Sequence, residues 1–535
     1  MKLTIYRFLG TVFLLSFYTA VRAELVDITQ VNDGGAVNAP GGLIGKSLEE
    51  QIGTGHGDET TFGSAVYLIK RDPARSIRRG RQLFQRKFTA GQGLGPRVNF
   101  HSTGDITQNR ALGAGSADSC AACHGRPRGA AGFGGDVATR PDSRDAPHLF
   151  GLGLIEQLAD EMTASLRRKR QATIDEAVRL GTPVTRRMSA KRIRFGSITA
   201  FPDGTVDTSS LDGVDADLRI KPFFHQGGTT SMREFIVGAF KDEMGMQAFD
   251  PILCAATDPA NPVRVTSPAG FVYDPALDTF ERPPVCDVTV DPDGDGVANE
   301  IDAAVLDHME FYLLNYFKPA TYRMTHMAQR GRDLMNAIHC TSCHVPDLII
   351  WNDRRVADVE TVYDRRNGIF NDLFATATTL FTVVDDGDQF PQLLPQENQF
   401  VVRNVYTDLK RHDLGPAFHE REYDGSLVRE FVTEPLWGVG TTVPYGHDGR
   451  SINLDQVIRR HGGEAQRSRD AYVALSGSDR VAIRTFLQAL VLFPPDDTAS
   501  NLNPGNPGTQ NPQDPSEHGS ILLPALFQIP SEGAE

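Results

Sequence analysis

Apolar residues recur at helical spacing in several separate stretches of this chain. Between Asp72 and Phe88, for example, Arg and Lys occupy the polar face of such a stretch. Short alternating runs, such as residues 192–200, are typical of strands in a hairpin. The pattern therefore predicts a mainly α-helical fold with irregular loops and short β-hairpins. The predicted helices are residues 72–88, 154–180, 229–247 (with Thr230 or Ser231 as N-cap), 301–317, 322–338 and 454–460.

Three segments lack sustained periodicity. Residues 24–75 are rich in Gly, Thr and Asp, and we interpret them as an irregular N-terminal extension. Residues 250–305 are rich in Pro and Asp and interrupt the helical pattern as an insertion. Residues 494–535 shift to Pro, Asn and Gly, a composition typical of a flexible tail.

The N-terminus resembles a secretory signal peptide covering residues 1–23. Lys2 and Arg7 precede or flank an apolar run from Phe8 to Phe17, and small residues precede Glu24. An uncleaved anchor is the alternative, although the run is short for a membrane span. No other stretch approaches 18 apolar residues. We therefore expect an exported protein, most simply a periplasmic one, with no membrane span after cleavage.

The net charge is acidic, with 68 Asp and Glu against 54 Lys and Arg, or -14 at pH 7. An acidic surface argues against binding nucleic acid or anionic membranes. It would suit a basic electron-donor protein.

Two Cys-x-x-Cys-His motifs define the candidate chemistry, Cys120–His124 and Cys340–His344. Such a motif is typical of covalent haem c attachment, in which Cys120, Cys123, Cys340 and Cys343 form thioethers with porphyrin vinyl groups. His124 and His344 would then bind haem iron. A redox dithiol or half of a zinc site is the alternative. The two motifs together predict two covalently bound haems.

The surroundings of the two motifs follow one plan. A helix carrying Gly-Arg (Gly80 or Gly331) precedes each motif by a short run. This weak internal duplication predicts two tandem cytochrome c-like domains, residues 76–249 and 306–493, separated by the insertion.

The insertion holds two further candidate features. Cys254 and Cys286 lie in one segment of an exported chain, so we expect a disulfide, with two free thiols as the alternative. The segment 291–302 has acidic residues at positions typical of a Ca²⁺ loop, with Gly at the sixth position. A solvated acidic turn is the alternative. The predicted ligands are Asp291, Asp293, Asp295 and Asp302.

The chain resembles the bacterial di-haem oxidoreductases often labelled thiol oxidoreductases, which are related to di-haem cytochrome c peroxidases and MauG-like enzymes. The resemblance covers residues 76–493 with gaps. It is carried by four blocks, residues 93–124, 146–156, 232–245 and 435–465, of which the last is the most specific. It implies that one haem, usually the N-terminal one, reacts with hydrogen peroxide while the other relays electrons.

Several residues are candidates for roles in this chemistry. His461, at the end of a predicted helix, is the candidate distal ligand of the second haem iron, with a surface or capping histidine as the alternative. Glu156 follows an apolar run and is the candidate catalytic acid/base, or else a solvated helix acid. Trp437 is the candidate electron relay, or else a core residue. The first haem has no clear distal ligand among its weaker candidates, which are His148, His225 and Met244.

These residues lead to one preferred function and two alternatives. The preferred function is a periplasmic di-haem peroxidase-like oxidoreductase that receives electrons from a small donor protein, a cytochrome c or cupredoxin. The first alternative is MauG-like oxidation of a partner protein, or oxygenation of a polymer. The second is a non-catalytic electron carrier.

His447, Asp448 and Arg450 are expected to brace a haem propionate.

Overall fold

The computed structural model describes residues 48–95, 117–124, 145–291, 294, 296–315, 319–321, 324–359, 377–421 and 425–492. The predicted signal peptide, residues 24–47 of the predicted N-terminal extension and the predicted tail lie outside these residues, as do Asp293 and Asp295. Within them, long helices dominate and the strands are short. The α-helices are α1 Leu48–Ile52, α2 Ala65–Arg71, α3 Pro73–Gln85, α4 Cys120–His124, α5 Leu152–Leu180, α6 Met232–Met244, α7 Pro251–Ala256, α8 Ala303–Leu314, α9 His326–Ala337, α10 Leu454–Arg460, α11 Gln466–Ala474 and α12 Gly477–Gln488.

The strands form one three-stranded sheet, β1-β2-β3, and several two-stranded antiparallel pairs. The pairs are β10-β11, β12-β7, β13-β16, β14-β15, β17-β6, β4-β5 and β8-β9, with these bounds: β1 Val184–Ala190, β2 Ile193–Ala200, β3 Val206–Asp207, β4 Val265–Thr266, β5 Val272–Tyr273, β6 Ala320–Thr321, β7 Leu348–Ile350, β8 Ala357–Val359, β9 Ala377–Thr379, β10 Phe381–Val384, β11 Gln392–Pro395, β12 Phe400–Val402, β13 Arg411–Asp413, β14 Glu420–Arg421, β15 Leu427–Val428, β16 Glu430–Val432 and β17 Leu490–Val491.

The helix ends carry ordinary capping chemistry. The Asp72 side chain accepts a hydrogen bond from the Arg75 backbone N–H, and Pro73 occupies the first turn of α3. Ser231 caps α6 by accepting from the Glu234 N–H. Of the two N-cap residues predicted there, Ser231 is therefore the one that caps the helix.

Two helix crossings repeat the same arrangement in the two halves of the chain. A Cβ on Gly80 of α3 would lie 2.1 Å from the His308 carbonyl oxygen of α8. A Cβ on Gly331 of α9 would lie 1.9 Å from the Ala482 carbonyl oxygen of α12. Each helix that precedes a haem motif thus crosses a later helix at a glycine, because only hydrogen fits between the two backbones.

The described residues form three apolar cores, two of which contain these crossings. The first contains buried residues of α3, α6 and α8, and Cys120 packs against it. The second lies between α5 and the β1-β2 hairpin and includes Trp437. The third contains α9 and α12, and Cys340 packs against it. The first cysteine of each motif therefore contacts the core built on its own helix crossing.

Helix α8 differs from the sequence interpretation. Most of it was assigned to the second domain, residues 306–493, yet its residues pack in the first core with α3. The physical reason is the close crossing at Gly80, which buries every side chain of α8. That helix also buries Asp307 and Glu310, which pair with Arg233 of α6 at 2.9 Å each.

The insertion is joined closely to the first core. Cys254 and Cys286 form a disulfide with an S–S distance of 2.03 Å. Phe271, Tyr273 and Phe280, which lie between the two cysteines, are buried in the first core. The insertion therefore contributes to packing rather than extending from the body of the protein.

Among the described helices, none combines the length and the apolar composition that a membrane span requires.

Candidate haem sites

The second motif follows directly on helix α9. Residues Cys340–Ser342 form a 3-10 turn, entered through His339 at a positive φ of 67°. His344 Nδ1 lies 3.0 Å from the carbonyl oxygen of Tyr406. A carbonyl only accepts, so Nδ1 carries the proton and Nε2 of the neutral ring is the basic nitrogen. Iron-binding histidines are held in this way in proteins.

His461 presents the same chemistry from the other side. It ends α10, and its Nδ1 donates to the Val457 carbonyl oxygen at 2.8 Å. Burial, followed by the electrostatic influence of the nearby His461, lowers the pKa of His344 to about 4. Burial also lowers the pKa of His461. The two imidazoles are therefore neighbours, both neutral, and each has Nε2 as its basic nitrogen. They fit a haem iron with two histidine ligands.

The first motif forms the short helix α4. His124 Nδ1 lies 2.7 Å from the carbonyl oxygen of Pro147, the same arrangement as at His344. The cysteines of both motifs take no part in a disulfide. Burial raises the pKa of the Cys120 thiol to about 12 and that of Cys340 to about 11. In both motifs the thiols and the oriented imidazole therefore fit haem c.

Two candidate distal ligands of the first haem are engaged within the protein. His148 Nε2 donates to the Trp437 carbonyl oxygen at 3.0 Å, and its Nδ1 accepts from the Phe150 N–H at 3.2 Å. His225 Nδ1 lies 2.6 Å from the Glu434 carboxylate, and its Nε2 lies 3.3 Å from the Asp145 carbonyl oxygen. Each ring uses both nitrogens in the chain itself. Met244, the third candidate, is buried in the first core.

Glu156 lies in the first turns of α5 and is buried. Its carboxylate accepts from the Met232 N–H at 2.7 Å and pairs with Arg354 at 2.5 Å. Arg354 also pairs with Asp160 at 2.7 Å. Burial outweighs the charge of Arg354 and raises the pKa of Glu156 to about 8. Glu156 therefore belongs to a buried charged group that joins α5 to the segment after β7.

Trp437, in the second half of the sequence, contacts Gly151 and His148 of the first half. Its indole packs on Gly151, where a Cβ would be 2.6 Å from the ring, and Gly151 has a positive φ of 74°. Its carbonyl oxygen accepts a hydrogen bond from His148. The preceding residue, Pro147, provides the carbonyl oxygen that orients His124. The indole is buried in the second core. Trp437 thus packs next to the segment that orients the first motif, although in sequence it follows the second motif.

The residues predicted to brace a propionate have well-defined partners. His447 stacks on Phe431, with ring centroids 4.2 Å apart. Asp448 pairs with Arg460 at 2.6 Å, and more loosely with Arg450 at 3.6 Å. Burial acts to raise the pKa of Asp448, but the hydrogen bond from Arg460 outweighs it, so the pKa is lowered. Asp448 therefore anchors α10, the helix that ends in His461.

Sequence reasoning missed a carboxylate and imidazole cluster between the halves. Its members are Asp145, His225, Glu434 and His447, and the rings of the two histidines have centroids 5.7 Å apart. Burial raises the pKa of the Asp145 carboxyl to about 7. For Glu434, burial is outweighed by the imidazole of His225 and then of His148, so its pKa is lowered. These residues are far apart in sequence, and no local motif marks them.

A second group was also missed. Donor atoms of Cys343, Asp408 and His412 all lie within 4.8 Å of one another. Burial lowers the pKa of His412, but hydrogen bonds to Asp408 and then Cys343 raise it to about 11. The only signal in the sequence is the run Thr407-Asp408 followed by His412-Asp413, which has no recognisable metal or catalytic spacing.

The predicted Ca²⁺ ligands are described only in part. The Asp291 carboxylate accepts from the Gly294 N–H at 2.8 Å and the Gly296 N–H at 2.7 Å. Asp302 caps α8 by accepting from the Ala304 N–H at 2.7 Å. Because two of the ligands lie outside the described residues, calcium binding stays a prediction.

Comparison with known proteins supports the haem interpretation. Residues 352–490 match the model of the family described as "Di-haem oxidoreductase, putative peroxidase". The matched region, which contains Trp437 and His461, is similar to the di-haem oxidoreductases. No curated protein sequence matches the chain.

Among solved structures, one matched chain is a MauG-like protein associated with microbial copper homeostasis. The two sequences are 15% identical, and the alignment has a TM-score of 0.17 over 35% of this chain. It covers 56% of that chain, little more than half its length. At that level of similarity the match bears on neither the fold nor the activity.

Proposed function

We propose that this protein is an exported di-haem c-type oxidoreductase of the cytochrome c peroxidase type. It reduces hydrogen peroxide at the first haem with electrons relayed by the second. The observation that carries the proposal is the difference between the two motif histidines. His344 has a neutral imidazole, His461, beside it, whereas His148 and His225, the candidate histidine ligands of the first haem, are held by hydrogen bonds within the chain.

In this proposal each half binds one haem as a cytochrome c-like domain. The two glycine crossings, α3 on α8 and α9 on α12, support this division, since each precedes one motif. Cys120, Cys123, Cys340 and Cys343 would hold the porphyrins, and His124 and His344 would hold the irons through Nε2. When bound, haem c would supply the electron transfer that the two-electron reduction of hydrogen peroxide to water requires.

The second site would be fixed in both redox states. His344 and His461 are each oriented by a carbonyl, so a change in iron charge requires little movement of either ring. Asp448 and Arg460 hold the end of α10 in place. A rigid pair of strong ligands favours fast electron transfer over ligand exchange, which suits a relay.

Proton handling is assigned to Glu156. Its raised pKa, about 8, allows the buried carboxyl to exchange a proton near neutral pH. Arg354 stabilises the carboxylate once the proton has left. Trp437 is assigned to electron relay because its indole packs beside the segment that orients His124. The acidic net charge of -14 favours a basic donor protein of cytochrome c or cupredoxin type.

Spectroscopy of the purified holoprotein tests the proposal. We expect one low-spin ferric haem with two histidine ligands and one high-spin ferric haem in resting or half-reduced protein. Hydrogen peroxide should be consumed when a reduced small cytochrome c is supplied. Low-spin spectra at both haems in every redox state, without peroxide consumption, would show a plain electron carrier instead.

A further inference from the structure

His412 lies beside the sulfur of a motif cysteine and is held by two carboxylates. Its Nε2 is 3.0 Å from Asp408 Oδ2, and its Nδ1 is 2.8 Å from Glu464 Oε2. The Cys343 sulfur completes the only group of three His, Cys, Asp or Glu donors within 4.8 Å of one another among the described residues. His412 and Asp408 are both buried.

The placement of these groups is well determined by the fold. His412 is the middle residue of β13 and is paired with Phe431 of β16. The Asp408 carboxylate also accepts from the Lys410 N–H at 3.0 Å, which fixes its orientation. Glu464 comes from the turn after His461 and accepts from the Asp413 N–H at 3.0 Å as well. Three separate segments therefore hold one imidazole against one sulfur.

The geometry points to a role for His412 in covalent haem attachment: oriented by Asp408, it assists the addition of the Cys343 sulfur to a haem vinyl group. The inference rests on the proposed function only in requiring haem c at the second motif. Peroxide reduction is not part of it.

The addition is balanced without another reactant. The sulfur–carbon bond forms as the vinyl π bond breaks, and the thiol proton ends on the other vinyl carbon. No oxidant or reductant is consumed in this step. Negative charge develops on sulfur as the proton leaves, and the imidazole of His412, whose donor atom lies within 4.8 Å of that sulfur, stabilises it. Asp408 acts through His412 and is a positioning residue.

The two sulfurs of the motif differ in this respect. Cys343 shares its group with Asp408 and His412, whereas Cys340 packs against the apolar third core. Attachment at Cys343 should therefore depend on His412, while attachment at Cys340 should not. This difference provides an internal control within a single polypeptide.

The experiment expresses the full chain in a host that attaches haem c and measures thioethers by peptide mass after alkylation of free thiols. In His412→Ala we expect unlinked Cys343 to rise at least ~5-fold, with Cys340 still linked. Asp408→Asn should give a smaller rise at the same sulfur. His419→Ala is the matched control, since His419 pairs with Asp413 and lies outside the group.

Wild-type linkage at Cys343 in His412→Ala would overturn the inference. Equal loss at Cys340 and Cys343 would also overturn it, since that outcome indicates a general folding defect. If His412→Ala does not accumulate, the near-isosteric Asp408→Asn decides, and full linkage there counts against the role. Because the readout is peptide mass, full linkage at Cys343 in the variant would leave the peroxidase proposal standing. Conversely, a protein that consumes no peroxide but loses the Cys343 linkage in His412→Ala would leave this inference standing.

Discussion

Glu156 Oε1 lies 2.5 Å from Arg354 Nη2, across 198 residues of sequence, inside the interface between α5 and the second half. A carboxyl in this position is both a structural anchor and a group able to exchange protons near neutral pH. The two roles give different mutational results.

Glu156→Gln should lower peroxide turnover by ~10²-fold or more, because the amide keeps the shape but cannot exchange the proton. The measurement is steady-state turnover with reduced cytochrome c. Asp160→Asn is the control, since Asp160 shares Arg354 but is not the assigned acid/base. Unchanged turnover in Glu156→Gln removes it from that role, and equal losses in both variants indicate that the charge of Arg354 matters instead.

His461→Ala should convert the second haem from low-spin to high-spin, since it removes one of the two imidazoles. Optical and electron paramagnetic resonance spectra of the ferric protein report this directly. The first haem should keep its spectrum. His419→Ala is again a suitable control, and a second haem that stays low-spin in His461→Ala would contradict the assignment.

Trp437→Phe should slow the return of electrons to the first haem after peroxide while leaving both resting spectra unchanged. The smaller ring still packs on Gly151 but is harder to oxidise than indole. Stopped-flow absorbance after one equivalent of peroxide measures the rate. An unchanged rate would assign Trp437 to core packing alone.

Gly331→Ala should destabilise the second half by about 2 kcal/mol or more, because a new methyl group meets the Ala482 carbonyl oxygen at 1.9 Å. Thermal unfolding followed by circular dichroism measures the effect. Gly477→Ala is the matched control, as a Cβ there meets nothing within 4 Å. That control should be neutral or slightly stabilising. A loss as small as that of the control would contradict the close crossing of α9 and α12.

Stability should fall on acidification because of His308. Burial lowers the pKa of this imidazole to about 3, while its Nδ1 remains bonded to Ser76 Oγ at 2.8 Å. The folded state thus binds the proton less tightly than the unfolded chain. Its contribution is complete above pH ~6.5 and is lost progressively as the pH falls towards 3. His308→Asn should show a shallower loss of unfolding free energy over this range, and parallel curves for the two proteins would contradict the assignment.

Local pattern determined much of this protein. Cysteine spacing is a covalent requirement, so Cys120–His124 and Cys340–His344 could be identified from residues alone, as could the helices that precede them. Capping and periodicity act within a few residues, which is why α3, α6 and α9 agree with prediction to within a few positions. His461 lies at the end of α10, as the same local reasoning predicted, while its role as an iron ligand stays a prediction.

Tertiary structure alone decided which distant groups meet. The pairing of Glu156 with Arg354, the placement of α8 in the first core, and the group of Cys343, Asp408 and His412 all join segments separated by tens to hundreds of residues. Burial in these contacts also sets the pKa values, and no sequence pattern records burial. Residue spacing therefore determined the two motifs at which haem attachment is predicted, while long-range packing decided which side chains surround those motifs.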